Sequence, residues 1–108
     1  MHLSCAVTNN AGEVTVTLAG NADLATVDAL RAALADATAG RPARITVDLL
    51  GLTFIDSISI SALIVARRAA QTQGIVFTAI QPRGYVRKAL TLTGVLDTLT
   101  GPPDAGAA

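Results

Sequence analysis

The stretch Thr53-Phe54-Ile55-Asp56-Ser57-Ile58-Ser59-Ile60-Ser61 sets a carboxylate beside a hydroxyl where an apolar run gives way to a helical pattern. Two chemistries fit that pair. Asp56 or Ser57 can cap the first helical turn, accepting from backbone N–H groups that have no partner inside the helix. Ser57 can instead be a phosphoacceptor, because a helix N-terminus tolerates added negative charge. The residue pattern leaves both readings open. Downstream, Ile58, Ser61, Val65, Arg68 and Thr72 recur at helical spacing, opposite a face made by Ile60, Leu63, Ile64 and Ala70. That stripe combines apolar side chains with a small hydroxyl and a cation. It reads either as ordinary solvated surface or as a docking face that starts at Ser57.

Other chemistry is scarce. His2 and Cys5 are the single histidine and single cysteine, so no intramolecular disulfide and no Cys/His metal cluster can be assembled. A Ser-His-Asp triad would have to recruit the terminal His2, and catalytic bases need rigid placement. No Gly-x-Gly-x-x-Gly and no Gly-Lys-Ser/Thr occurs to cradle phosphate. The expectation is a chain without catalytic residues, metal or cofactor. Among the remaining charged residues, Asp23 is a candidate N-cap and Asp48 a candidate cap or ion-pair partner within a strand. Arg67, Arg83, Arg87 and Lys88 read as solvated surface.

These residues need elements to hold them. The 108 residues suit one domain, 51% hydrophobic and only 15% charged, with eight acids balancing eight bases. A net charge of zero argues against any general attraction to nucleic acid or anionic membrane. With 3% aromatics the core must be aliphatic. No signal peptide precedes the first strand, and the apolar run from Ile45 to Ala66 is interrupted by Asp48, Gly51 and Asp56, so a cytoplasmic protein is expected. Alternation predicts a strand at Val14–Leu18, paired with Cys5–Thr8 through the turn Asn9-Asn10-Ala11-Gly12. A helix follows from Leu24 to Ala39, started by Asp23 and stopped by Gly40 and Pro42. Arg44–Leu50 reads as a strand, Gly51–Ile55 as a connection, and Ile58–Gln73 as a helix ended by Gly74. Ile75–Ile80 is the next strand and Gly84–Thr93 the last helix, with Val95, Leu96 and Leu99 closing back on the core. Residues 101–108 read as a disordered tail after a domain spanning 1–100. The order β-β-α-β-α-β-α defines a single α/β domain. Its sheet should be mainly parallel, of four to five strands, with an N-terminal antiparallel hairpin and three to four helices.

With its elements in this order the chain resembles the STAS-domain anti-sigma factor antagonists of bacterial partner-switching systems. Val14 to Asp23 is similar to the family's strand, Gly and Asp. Ile45 to Ser57 is similar to its central strand and phosphorylation loop. Gln73-Gly74 and the run Arg87 to Val95 fit its later elements, so the likeness covers Cys5 to Leu99 in order. The family usually continues Asp-Ser-Ser/Thr-Gly-Leu-Gly after the loop, whereas Ile58, Ser59 and Ser61 replace the second hydroxyl and both glycines here. Asn21 stands where Glu or Arg is common. The resemblance implies that an anti-sigma factor serine kinase phosphorylates Ser57, with Ser59 as the alternative acceptor, and that a phosphatase resets it. It implies that the unphosphorylated form holds the kinase and frees a sigma factor for transcription. Asp23, Asp56, Ser57, Ile58, Ser61, Val65 and Arg68 would form the partner surface. An alternative is a constitutive STAS subunit of a transporter or stress-signalling complex, with no phosphorylation.

Overall fold

Between Asn10 and Glu13 the chain reverses over two residues, Ala11 and Gly12, both with positive φ, the geometry that matches the twist of a hairpin. The computed structural model describes residues 2–101. The hairpin strands are β1 (Leu3–Asn10) and β2 (Glu13–Ala22), each longer than alternation predicts. Helix α1 (Val27–Ala39), strand β3 (Arg44–Ile55), helix α2 (Ser57–Thr72), strand β4 (Val76–Ile80) and helices α3 (Gly84–Leu92) and α4 (Leu96–Thr100) complete the chain. The sheet order is β1-β2-β3-β4; the first pair is antiparallel and the others parallel. Four strands form, within the expected four to five. The closing segment around Leu96 and Leu99 is a fourth, short helix. The expected tail lies outside the described residues but for Gly101.

Only one face of the sheet is buried. Val14, Val16 and Leu18 of β2, Ile45, Val47 and Leu49 of β3, and Phe77 and Ala79 of β4 point to the same side. There they join Leu30 and Leu34 of α1, Ile60 and Leu63 of α2, Val86 and Leu90 of α3 and Leu99 of α4 in one aliphatic cluster. Each fully buried Leu or Ile contributes about 2 kcal/mol. The shortest dimension of the molecule, 19 Å, is that of one sheet and one layer of helices. On the opposite, open face, Thr8, Thr15, Thr46 and Thr78 stand in register across all four strands. The Thr78 hydroxyl is buried there without a partner.

The expected connection Gly51–Ile55 is instead the continuation of β3. Burial in β3 recurs at every second residue as far as Leu49 and then at every third, Leu52 and Ile55. The cause is a double slip against β2: Thr17 lies opposite Asp48, Ala19 opposite Gly51, and Asn21 opposite Phe54. Each slip is a bulge that adds a residue to β3 and turns its side chains over. Side chains satisfy the backbone at the slips. Asp48 Oδ1 accepts from the Leu50 N–H at 3.0 Å, and the Thr53 hydroxyl donates to the Gly20 carbonyl at 3.0 Å. Asp48 is thus a cap within its own strand. Gly20 has φ +102, and a β-carbon there would run into the backbone carbonyl of His2. Gly20→Ala should therefore lower the unfolding free energy by about 3 kcal/mol, combining left-handed strain with displacement of β1. Urea denaturation checks this; a loss within about 0.5 kcal/mol, the size of an ordinary surface substitution, would show that the hairpin absorbs a side chain there.

Candidate functional site

Ser57 is the first residue of α2, and its position is set by what precedes it. β3 ends at Ile55, opposite Ala22, and the Asp56 N–H donates to the Ala22 carbonyl at 3.0 Å. Asp56 then leaves the strand in extended conformation and its Oδ1 accepts from the Ser59 N–H at 2.8 Å. Asp56 is the N-cap, so the capping reading of this residue holds and helix α2 begins at Ser57. The Ser57 side chain is exposed, and among the described residues its hydroxyl has no hydrogen-bond partner. Both properties suit a phosphoacceptor, at the end of the helix where the macrodipole favours anions.

Ser59 differs sharply. Two residues further on, about 200° around the helix, it is 0% exposed and its Oγ is buried without a partner. Its hydroxyl is out of reach of any enzyme in this conformation, which corrects its reading as an alternative acceptor. The physical reason is helical phase: Ile60 and Leu63 face the sheet, and Ser59 lies on the same side. Small size makes the position tenable, but the hydroxyl loses its hydration and gains nothing.

Along α2 the predicted partner residues divide. Ser57, Ser61, Val65 and Arg68 line one groove of about 390 Å³, whose far wall is Thr93 and Val95 from the link between α3 and α4. Ser61 and Val65 also line a second, more apolar groove of about 590 Å³ between α1 and α2, where Ala35, Ala39, Ala62, Ala66 and Ala69 leave room between the helices. Ser61 and the 63% exposed Val65 are therefore a crest between two grooves. Ile58 lines neither groove; it is 37% exposed on another side of the helix. Asp23 belongs to the adjoining β2–α1 turn. Its Oδ1 accepts from the Thr26 N–H at 3.2 Å while its own N–H donates to Thr26 Oγ1 at 3.0 Å. This reciprocal pair is a capping box for the turn over residues 24–26. The helix itself starts at Val27 with Thr26 as N-cap, three residues later than expected.

Some surface at this end of the sheet escaped the residue pattern. Phe54, at the end of β3, stacks on Tyr85 of α3 with ring centroids 5.2 Å apart, and Tyr85 is half exposed. Leu24, beside Asp23, is exposed as well. Thr93 ends the expected last helix and Val95 begins the closing segment, but nothing local sets either beside α2, since that depends on how the chain end folds. Elsewhere, no cluster of three or more His, Cys, Asp or Glu occurs among the described residues, and no helix among them is long and apolar enough to cross a membrane. Burial pushes the Cys5 thiol above its ordinary value, which disfavours the thiolate.

Comparison with known proteins places this arrangement. Residues 5–101 match the family model described as Mlab, STAS domain, and the chain belongs to that STAS-domain family. An anti-sigma factor antagonist from Mycobacterium paratuberculosis superposes with TM-score 0.77 at 25% identity, over 93% of this chain and 84% of that one. The phosphorylated form of the Bacillus cell fate determinant SpoIIAA gives 0.66 at 21% identity, over 90% and 88%. A sulfate transporter family protein from Wolinella succinogenes gives 0.70 at 17% identity, over 85% and 75%. Among curated proteins there is no match.

Two substitutions test the energetics at the start of α2. Asp56→Ala should cost about 1 kcal/mol through loss of the cap. Ser59→Ala should raise stability by about 1 kcal/mol, because it deletes a buried hydroxyl that has no partner. Thermal and urea unfolding measure both; destabilisation by Ser59→Ala would mean that its hydroxyl is bonded in solution.

Proposed function

We propose that this chain is a cytoplasmic anti-sigma factor antagonist, a binding protein rather than an enzyme, switched by phosphorylation of Ser57. The observation that carries the reading is the free, exposed Ser57 hydroxyl at the lip of the groove between α2 and the α3–α4 link. Its setting in a STAS domain with anti-sigma factor antagonists among its structural neighbours supports it. The unphosphorylated chain binds an anti-sigma factor serine kinase across α2, using Ser57, Ser61, Val65 and Arg68, with Asp23, Asp56 and Ile58 at the end of that surface. Holding the kinase frees a sigma factor. A phosphatase restores the binding form, and neither nucleic acid nor membrane is a direct partner.

Phosphorylation brings roughly −1.5 to −2 charges to Ser57. The helix N-terminus stabilises that charge, so α2 stays formed. What changes is docking: a strongly hydrated group beside the Asp56 carboxylate must be desolvated against the partner. The structural likeness to SpoIIAA in both its unphosphorylated and phosphorylated forms, TM-scores 0.67 and 0.66, supports a switch without refolding.

Incubation with the cognate kinase and ATP should label Ser57 alone, located by mass spectrometry. In calorimetry Ser57→Ala should bind the kinase like the unmodified chain and Ser57→Glu at least about ten-fold more weakly, a difference of about 1.4 kcal/mol. Equal affinity of the two variants would sink the switch. A second reading, a constitutive STAS subunit of a transporter complex, is favoured by the sulfate transporter family neighbour. It requires stable co-purification with transporter subunits and no phosphate on Ser57.

A further inference from the structure

The two edges of the sheet are treated differently. β4 is five residues long and is stopped by Gln81, at φ 57, and by Pro82. Brevity and proline are two of the devices that keep an edge strand from pairing with another chain. β1 has none of them. It runs eight residues in unbroken register with β2, and no charged side chain lies between His2 and Glu13.

The backbone bond from the Asn21 N–H to the His2 carbonyl fixes the phase of the hairpin ladder. In an antiparallel pair, hydrogen-bonded and non-hydrogen-bonded positions alternate. Ser4, Ala6, Thr8 and Asn10 therefore point their backbone groups at β2, and Leu3, Cys5, Val7 and Asn9 point theirs away from the sheet. Among the described residues those outward groups have no backbone partner. Val7, beside them on the helix-covered side, is 44% exposed.

The structure assigns this edge to a second copy of the same chain, which pairs antiparallel along β1 about a two-fold axis at Ala6 and joins two four-stranded sheets into one. Self-complementarity selects the occupant and the register. Residues directly opposite in an antiparallel pair share a face, so the axis must pass through a residue and not between two. Centred on Ala6, Cys5 meets Val7 of the second copy on the helix side, and Ser4 meets Thr8 of the second copy on the open side. At the pairs beside the axis apolar faces apolar and hydroxyl faces hydroxyl, and Leu3 meets Asn9 of the second copy only at the two ends of the overlap. Centred on Val7, the pairs beside the axis become Ala6 with Thr8 and Cys5 with Asn9, so neither central match survives; centred on Cys5, the overlap shortens to five residues. In the Ala6 register the outward N–H and C=O groups of Cys5 bond those of Val7 of the second copy, and the reverse. A strand from an unrelated protein would satisfy the backbone but not this two-fold side-chain pattern.

Ala6 is the diagnostic position. It lies on the axis in a non-hydrogen-bonded pair, where Cα atoms sit about 4.5 Å apart, within reach of a disulfide. A Cys5→Ser, Ala6→Cys chain should oxidise to a covalent dimer. The natural chain should not, because its Cys5 faces Val7 of the second copy. Sedimentation equilibrium should show the mass rising from one chain to two with concentration. Val7→Lys, which charges the edge, and Val7→Pro, which removes an outward N–H, should each weaken association by at least about ten-fold. Far-UV circular dichroism confirms that each variant is folded. A single-chain mass at every concentration without the Ala6→Cys crosslink overturns the proposal. So does a disulfide through Cys5 of the natural chain, which requires another register, or pairing of β1 only with a strand of another protein.

Discussion

The double slip between β2 and β3 is the constraint on which the working end of the molecule depends. Without it Ala22 would face Thr53; with it Ala22 faces Ile55, and the next residue, Asp56, hands its N–H to the Ala22 carbonyl. Removing one slip would bring the chain into α2 one residue out of phase, a rotation of about 100°. Ile60 and Leu63 could not then face the sheet while Ser57 faced solvent. Two glycines make the slips affordable. Gly20 takes a left-handed conformation where the backbone of β1 approaches closely, and at Gly51 a β-carbon would stand 3.0 Å from the Leu18 carbonyl oxygen.

Helical geometry then sorts three serines that look alike in sequence. Ser57 is open at the first position, Ser59 is enclosed by the core, and Ser61 stands on the crest between two grooves. Of the two side chains that could cap α2, Asp56 holds the helix end and the Ser57 hydroxyl is left free. Because the cap is supplied by Asp56, a change at the Ser57 hydroxyl leaves the start of α2 intact.

Much of this was legible in the residues, and what was not has physical causes. The order of elements, the hairpin turn, the helix ends at Gly74 and Gly94 and the aliphatic core followed from period and punctuation. The end of β3 did not, because its burial rhythm changes from two to three at the bulges, and a strand that abandons alternation reads as a loop. The stripe on α2 was found as residue types at helical spacing, but Ile58 lies off both grooves. The groove walls at Thr93 and Val95 and the partner of Phe54 were invisible, since each depends on where a later segment returns to the sheet. Ser59 was misjudged because composition records a hydroxyl, not the direction in which a helix turns it.

The threonine row on the open face separates two kinds of tolerance within one sheet. Residues that face the helices are tied to each other by volume, since a change in one must be absorbed by its neighbours. Thr8, Thr15 and Thr46 answer to no such neighbour; they need only be β-branched and small enough to stand side by side. The same strands therefore carry a side that must be altered in concert and a side that can be altered one position at a time. Substitution on the second leaves the packing of the first untouched.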